Sequence, residues 1–144
     1  MDIPTHAERF RGIDRLYGQG SVERLARAHV CIVGIGGVGS WAVEALARSG
    51  IGRLTLIDAD EVCISNTNRQ LHALDGEFGK AKVGVMAARA RAINPAIAID
   101  AIEQFLTPAN LATFSIAGTS VRGTSGDTPA GAKNANQMPV RFCG

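Results

Sequence analysis

The sequence predicts an α/β protein with a Rossmann-like, doubly wound parallel sheet. Two observations carry this prediction. Short apolar segments rich in β-branched residues alternate with segments whose apolar residues recur at helical spacing. A glycine-rich segment, residues 34–39, joins the first apolar segment to the first helical one. Strand, helix and strand within about 30 residues form a βαβ unit, whose crossover is right-handed in nearly all known proteins.

Three strands are readable from the sequence, each short, apolar and bounded by turn-forming or charged residues. The first is β-branched and ends at a glycine, as expected for a strand that is buried on both faces. The third alternates between apolar and polar residues. The predicted strands are 29–33, 53–58 and 97–102.

The predicted helices begin and end at capping residues. Ser21 is a candidate N-cap because its hydroxyl can accept a hydrogen bond from a first-turn N–H. Gly50 and Asn94-Pro95 end two further helices, and Thr107-Pro108 predicts the start of another. Residues 59–79 predict a polar loop with at most one short helical turn. The predicted helices are 21–28, 38–49 and 80–93.

The pattern stops after Phe114. Between positions 115 and 144, thirteen side chains are Gly, Ser, Thr or Pro, and the apolar residues among them follow no regular repeat. A parallel α/β sheet is not expected to end just after the start of a helix. We therefore expect a truncated domain in residues 1–114, followed by a frameshifted or misassembled tail, 115–144, that is not native to the fold.

Composition excludes several classes of protein. A chain of 144 residues has the length of one domain. The net charge of +2 comes wholly from the segment 115–144, because residues 1–114 hold 12 basic and 12 acidic side chains. The three cysteines form no C-x-x-C pair, so we expect neither a zinc site nor disulfides, which fits the cytoplasm. No apolar stretch reaches the roughly 20 residues of a membrane span.

The glycine-rich segment has the G-x-G-x-x-G spacing of a phosphate-binding turn between a strand and a helix. Its glycines allow a tight turn and a close approach of backbone N–H groups to phosphate oxygens, and the helix N-terminus favours an anion. Asp58 ends the second strand 19 residues after Gly39, where it can accept hydrogen bonds from a ribose. The glycines concerned are Gly34, Gly36, Gly37 and Gly39.

Two cations follow the ribose position. Arg69 lies in the polar loop, and Lys82 falls in the first turn of its helix, where a positive charge opposes the helix dipole unless an anion lies near. A triphosphate offers more charge than a pyrophosphate to such cations. An oxidoreductase that binds NAD or FAD remains the alternative, but it leaves both cations unexplained.

Four motifs together resemble the ubiquitin-activating-like superfamily of ATP-dependent adenylating enzymes, which includes the ThiF, MoeB and HesA proteins. They are the glycine-rich segment, Ile57-Asp58-x-Asp60, Ser65-Asn66-x-x-Arg69-Gln70 and Gly79-x-x-Lys82. Further segments, among them Arg15-Leu-Tyr-Gly18 and Gln70-Leu-His72-Ala-Leu74, resemble the subgroup that dehydrates threonylcarbamoyladenosine in tRNA. The resemblance runs from about residue 9 to residue 114.

The resemblance implies ATP and Mg²⁺ as cofactors and a homodimer in which Arg15 reaches the partner's ATP site. It implies that Asn66 and Arg69 lie near the phosphates, with Arg69 among the catalytic residues, and that Lys82 neutralises charge as pyrophosphate leaves. The substrate it implies is tRNA carrying threonylcarbamoyladenosine, with a cysteine desulfurase or sulfur-acceptor system as a further partner. The implied nucleotide contacts are the four glycines, Asp58, Asp60, Ser65, Asn66, Asn68, Arg69, Gln70 and Lys82.

The sequence also departs from the superfamily, and it leaves alternatives open. The Asp-x-x-Asp motif that binds magnesium and ATP in these enzymes is missing. The activated carboxylate is either that of the modified tRNA or the C-terminus of a ubiquitin-like carrier protein, and a non-catalytic nucleotide-binding fragment is a third possibility. Asp60 either supports the site or caps the loop. We expect Trp41 to pack its helix and His72 to be incidental.

Overall fold

The computed structural model describes residues 4–114 and 121–123, and within them the central strands and helices follow the predicted order. The helices are α1 (His6–Tyr17), α2 (Ser21–Arg27), α3 (Gly39–Arg48) and α4 (Lys82–Ile93). The strands are β1 (His29–Val33), β2 (Arg53–Ile57), β3 (Ala98–Ile102) and β4 (Val121–Gly123). Two 3₁₀ turns lie at Ile64–Asn66 and Leu111–Phe114.

The described strands form one parallel sheet in the order β3-β2-β1-β4. The order runs outward from β1 to β3 and then reverses to β4, as in a doubly wound sheet, and this reversal is where ligands bind in such folds. The parallel, Rossmann-like fold that the sequence predicts is therefore confirmed.

The core lies between the sheet and helices α3 and α4, which pack against each other. Among the strands β2 is the most buried, with four of its five residues buried, whereas β3 at the edge is largely exposed. The fully buried aliphatic side chains of this core include Ile35, Val43, Leu54, Leu56 and Met86.

The boundaries of three central elements agree with the sequence to within one residue. Strand β1 has the predicted bounds, β2 ends one residue earlier, and α3 loses one residue at each end. Gly50 has a φ of 79°, the left-handed conformation expected of a residue that ends a helix. Helix α4 begins two residues later than predicted, at Lys82.

The N-terminal helices differ from the prediction. Helix α1 is not predicted, because the polar segment 1–20 hides its capping box, in which Thr5 and Glu8 exchange hydrogen bonds. The N-cap of α2 is Gly20 rather than Ser21, since Gly20 adopts a φ of 82° and starts the turn. The Ser21 hydroxyl instead donates to the Tyr17 carbonyl oxygen at 3.1 Å.

The structure also differs from the prediction after β3. The helix predicted from Thr107 is a turn followed by the 3₁₀ segment Leu111–Phe114, and Thr107 exchanges hydrogen bonds with Asn110. Val121–Gly123 pairs in parallel with β1, although the sequence predicts no strand there. The predicted domain boundary after residue 114 stays a prediction, because residues 115–120 and 124–144 lie outside the described residues.

No helix within the described ranges, 4–114 and 121–123, is both long and apolar enough to cross a membrane.

The close approach of α2 to the start of β2 gives a test of this packing. A Cβ atom at Gly52 would overlap the Ala26 carbonyl oxygen, so Gly52→Ala must push backbone aside. We expect it to destabilise the protein by about 1–3 kcal/mol. Gly84→Ala in α4 is the matched control, because nothing lies within 4 Å of the added carbon. We expect it to stabilise by about 1 kcal/mol. Urea unfolding measures both, and equal stabilities would contradict this packing.

Candidate functional site

The candidate site lies where β1, β2 and β3 end. A cavity of about 340 Å³ opens there, between the glycine-rich segment and the chain that follows β3. The sequence motifs supply one wall of it, while the other wall, Gln104–Thr107, carries no motif and is missed by sequence reasoning. The residues that line the cavity are Val33, Gly34, Ile57, Asp58, Ala59, Asp60, Gln104, Phe105, Leu106 and Thr107.

The glycine-rich segment forms a tight turn into α3. Gly34 has a φ of 84°, which favours glycine, and its N–H donates to the Ile57 carbonyl oxygen at 2.9 Å. Within the described residues, the N–H groups of Gly36, Gly37 and Val38 have no hydrogen-bond acceptor. Three free donors at a helix N-terminus are suited to bind an anion such as phosphate.

The Asp58 carboxylate joins the ends of the first two strands. One oxygen accepts a hydrogen bond from the Ile35 N–H at 2.5 Å, and the other accepts from the Asp60 N–H at 2.8 Å. Each carboxylate oxygen has a second lone pair, so Asp58 can still accept hydrogen bonds from a hydroxyl group in the cavity.

The loop that contains Ser65–Gln70 packs against the glycine-rich segment. Side-chain carbons of Arg69 lie 3.4 to 3.8 Å from the position that a Cβ atom on Gly37 would occupy. The side-chain amide nitrogen of Gln70 lies 3.7 Å from the position that a Cβ atom on Gly36 would occupy. The fold thereby brings together two motifs that helix α3 and strand β2 separate along the chain.

Hydrogen bonds within the loop fix the position of Arg69. Its Nη1 donates to the Ser65 carbonyl oxygen at 3.2 Å and to the Asn68 side-chain oxygen at 2.8 Å. Asn66 is buried, and its side-chain oxygen accepts from the Cys63 N–H at 3.0 Å. Asn66 therefore shapes the loop, whereas Ser65, Asn68 and Arg69 are exposed.

Lys82 lies in the first turn of α4, as the sequence predicts, and is its first residue, but its side chain is only 5% exposed. Its ammonium lies 3.3 Å from an Asp60 carboxylate oxygen, and the Lys82 backbone N–H donates to the Asp60 carbonyl oxygen. Asp60 therefore supplies the anion that a lysine at a helix N-terminus requires. The ammonium has two further protons that can meet a ligand.

His72, which the sequence places just after Ser65–Gln70, is buried. The residue is 1% exposed, and neither ring nitrogen has a hydrogen-bond partner within the described residues. Burial, and secondarily the charge of Lys82, lowers the pKa of His72 to about 4, so the ring is neutral at pH 7. No sequence signal distinguishes it from a surface histidine.

Arg15 does not join the other predicted residues within this chain. It lies in the last turn of α1 and is exposed. Phe10 of the same helix packs on Gly50, at the opposite end of α3 from the glycine-rich segment. The predicted role of Arg15 in the ATP site of a partner subunit stays a prediction.

The parallel sheet, the free N–H groups at the N-terminus of α3 and the adjoining carboxylates define an α/β protein of Rossmann-like type with a candidate anion-binding turn. The particular family follows from comparison with known proteins. The model of the ThiF family matches residues 10–119, and the chain belongs to that family. The predicted resemblance to the adenylating superfamily is thus confirmed, and it disfavours the oxidoreductase alternative.

Two of the similar proteins carry the same name. The tRNA threonylcarbamoyladenosine dehydratase of Escherichia coli (strain K12) is 55% identical over 113 residues, which are 78% of this chain and 42% of that protein. The Haemophilus influenzae protein of the same name is 53% identical over 78% of this chain and 43% of its own length. The chain therefore spans less than half the length of these curated relatives.

A solved structure agrees with this likeness. The crystal structure of the E. coli tRNA N6-threonylcarbamoyladenosine dehydratase, TcdA, in complex with ATP matches with a TM-score of 0.79 at 53% identity. The match covers 82% of this chain and 49% of that chain.

The buried His72 makes stability depend on pH. Its pKa is about 4 in the fold against an ordinary 6.5, so the unfolded chain binds the proton first. Stability from this group is fully present above pH 6.5 and falls as the pH drops toward 4, by on the order of 3 kcal/mol. We expect His72→Gln to remove this part of the acid loss. Thermal unfolding of both proteins from pH 7.5 to 4 measures it, and parallel curves would contradict a neutral buried ring.

Proposed function

We propose that this chain carries the ATP-binding part of an enzyme that adenylates a carboxylate. We take that carboxylate to be the one of threonylcarbamoyladenosine in tRNA, which the reaction converts to its cyclic form. The observation that carries the proposal is the packing of Arg69 over Gly37, beside three free N–H groups. The dehydratases that resemble the chain, one of them solved with ATP, support the same assignment.

In this proposal the nucleotide spans the cavity and the start of α3. Its phosphates meet the N–H groups of Gly36 and Gly37, and its ribose hydroxyls donate to Asp58. The base then enters the 340 Å³ cavity, where Phe105 offers an exposed aromatic face. The Gln104–Thr107 wall adds contacts that the sequence motifs do not include.

The chemistry follows from the charges around the phosphates. A substrate carboxylate oxygen attacks the α-phosphorus of ATP, and the bond from that phosphorus to pyrophosphate breaks. Negative charge grows on the leaving pyrophosphate, where Arg69 can form bidentate hydrogen bonds and Lys82 acts as a point charge. Attack from within the modified nucleoside then closes the ring and expels AMP. Because this step is intramolecular, it needs no protein nucleophile.

The resemblance also implies Mg²⁺, which typically binds one or two carboxylates together with substrate phosphates. Among the described residues, no group of three or more His, Cys, Asp or Glu side chains is placed to hold a metal ion. Asp60 faces Lys82, and Asp58 accepts two backbone hydrogen bonds. These residues do not fit a magnesium site by themselves, so Mg²⁺ stays a prediction and no step above runs through it.

The homodimer, the cytoplasmic location, the sulfur-system partner and the role of Arg15 stay predictions from the resemblance. The carboxylate of a ubiquitin-like carrier protein is the second substrate class. The named dehydratases favour tRNA over it.

Equilibrium binding and isotope exchange test the proposal on the full chain. We expect labelled ATP to bind and NAD to fail to compete. We expect exchange of labelled pyrophosphate into ATP to require tRNA that carries threonylcarbamoyladenosine, with unmodified tRNA as control. Competition by NAD, or pyrophosphate exchange that requires a carrier protein instead of tRNA, would contradict the proposal.

Lys82 offers a sharper test of the same site. Lys82→Met removes the charge but keeps the length and the apolar stem of the buried side chain. We expect exchange to fall about 10- to 100-fold, the size of a lost hydrogen bond to a charged group. Lys80→Met is the matched control, since Lys80 is exposed and pairs with Glu77 at 3.0 Å. An equal effect of both changes would argue against a role for Lys82 at the phosphates.

A further inference from the structure

Trp41, the only tryptophan in the chain, lies on the surface beside the candidate site. It is the third residue of α3, and 54% of it is exposed, so it does not pack its helix against the core as the sequence predicts. Its indole N–H donates to the Arg69 carbonyl oxygen at 3.0 Å. The side chain therefore connects α3 with the loop that contains Ser65–Gln70.

A second bond joins the same two segments. The buried Ser40 hydroxyl oxygen accepts from the Leu71 N–H at 3.2 Å. Consecutive residues of α3 thus hold the backbone on both sides of Gln70. Because α3 begins at the free N–H groups, any shift of this loop relative to α3 moves Arg69 relative to a bound phosphate.

Arg69 has donors to spare for such a phosphate. Its two hydrogen bonds both come from Nη1, and its Nε and Nη2 protons have no acceptor within the described residues. Its side-chain carbons cross over Gly37. The guanidinium is therefore held beside the phosphate-binding turn with its remaining N–H groups available.

We propose that Trp41 is a positioning residue that holds Arg69 over the phosphate-binding turn through the indole N–H. The inference rests on the proposed function for its ligand, ATP. The role depends on the ring N–H, since phenylalanine would fill much of the same surface without donating a hydrogen bond. Trp41 acts on the nucleotide through Arg69 and need not touch it.

The test compares ligands with and without phosphates on the full chain. We expect Trp41→Phe to weaken ATP binding about two- to tenfold, the size of one lost hydrogen bond, while adenosine binding stays unchanged. In an Arg69→Met background the same change should have no further effect, because Trp41 acts through Arg69. Phe78→Leu is the control for loss of exposed aromatic surface, since Phe78 is 37% exposed and outside the cavity. Calorimetry measures each affinity.

Inorganic tripolyphosphate separates this inference from the proposed function. If the wild type binds tripolyphosphate but not ATP, and Trp41→Phe weakens that binding, Trp41 keeps its role and the ATP assignment fails. If ATP binds and Trp41→Phe matches the wild type, or if the losses add in the Arg69→Met background, the role of Trp41 is wrong. Binding of neither probe by the wild type overturns both. Tryptophan fluorescence reports position 41 alone, and we expect it to change when ATP binds.

Discussion

The Asp58 carboxylate is the interaction on which the candidate site depends. It accepts hydrogen bonds from the Ile35 N–H in the turn after β1 and from the Asp60 N–H in the turn after β2. The two turns are thereby held at a fixed separation, which leaves the cavity open between them. Both backbone segments therefore depend on this one side chain. The glycine-rich segment alone does not set this geometry, because it needs a partner across the sheet.

The second feature of the site is a set of polar groups that are buried at a cost. Lys82 has one partner, Asp60, at 3.3 Å, and His72 and the Gln70 side-chain oxygen are buried without hydrogen bonds in the described part of the chain. A buried ammonium with a single long contact and a buried unpaired ring each reduce stability. Such groups concentrate where a ligand supplies the missing contacts, and Gln70 and His72 lie at the end of the loop that contains Ser65–Gln70.

Much of the fold was predictable because its signals are local. Strand β1 and helix α3 follow from a β-branched run and a helical repeat on either side of glycines, and their ends agree within one residue. Helix α1 was not predictable from periodicity, since a mostly exposed helix buries only Phe10. The candidate site was predictable as a set of motifs. The Trp41 contact with Arg69, the burial of His72 and the Gln104–Thr107 wall were not, because their neighbours are distant in the sequence.

The sequence by itself determined the central elements from β1 to β3, the glycine-rich turn and the two cations that follow it. Spacing over a few residues is enough for that, because helical and strand periods and glycine turns are set by local backbone geometry. Only the tertiary structure decided which group each polar side chain meets. Asp58 with Ile35, Trp41 with Arg69 and Lys82 with Asp60 are pairs 22 to 28 residues apart. The parallel sheet brings them together because the carboxyl ends of its strands, and the segments that follow them, lie at the same edge.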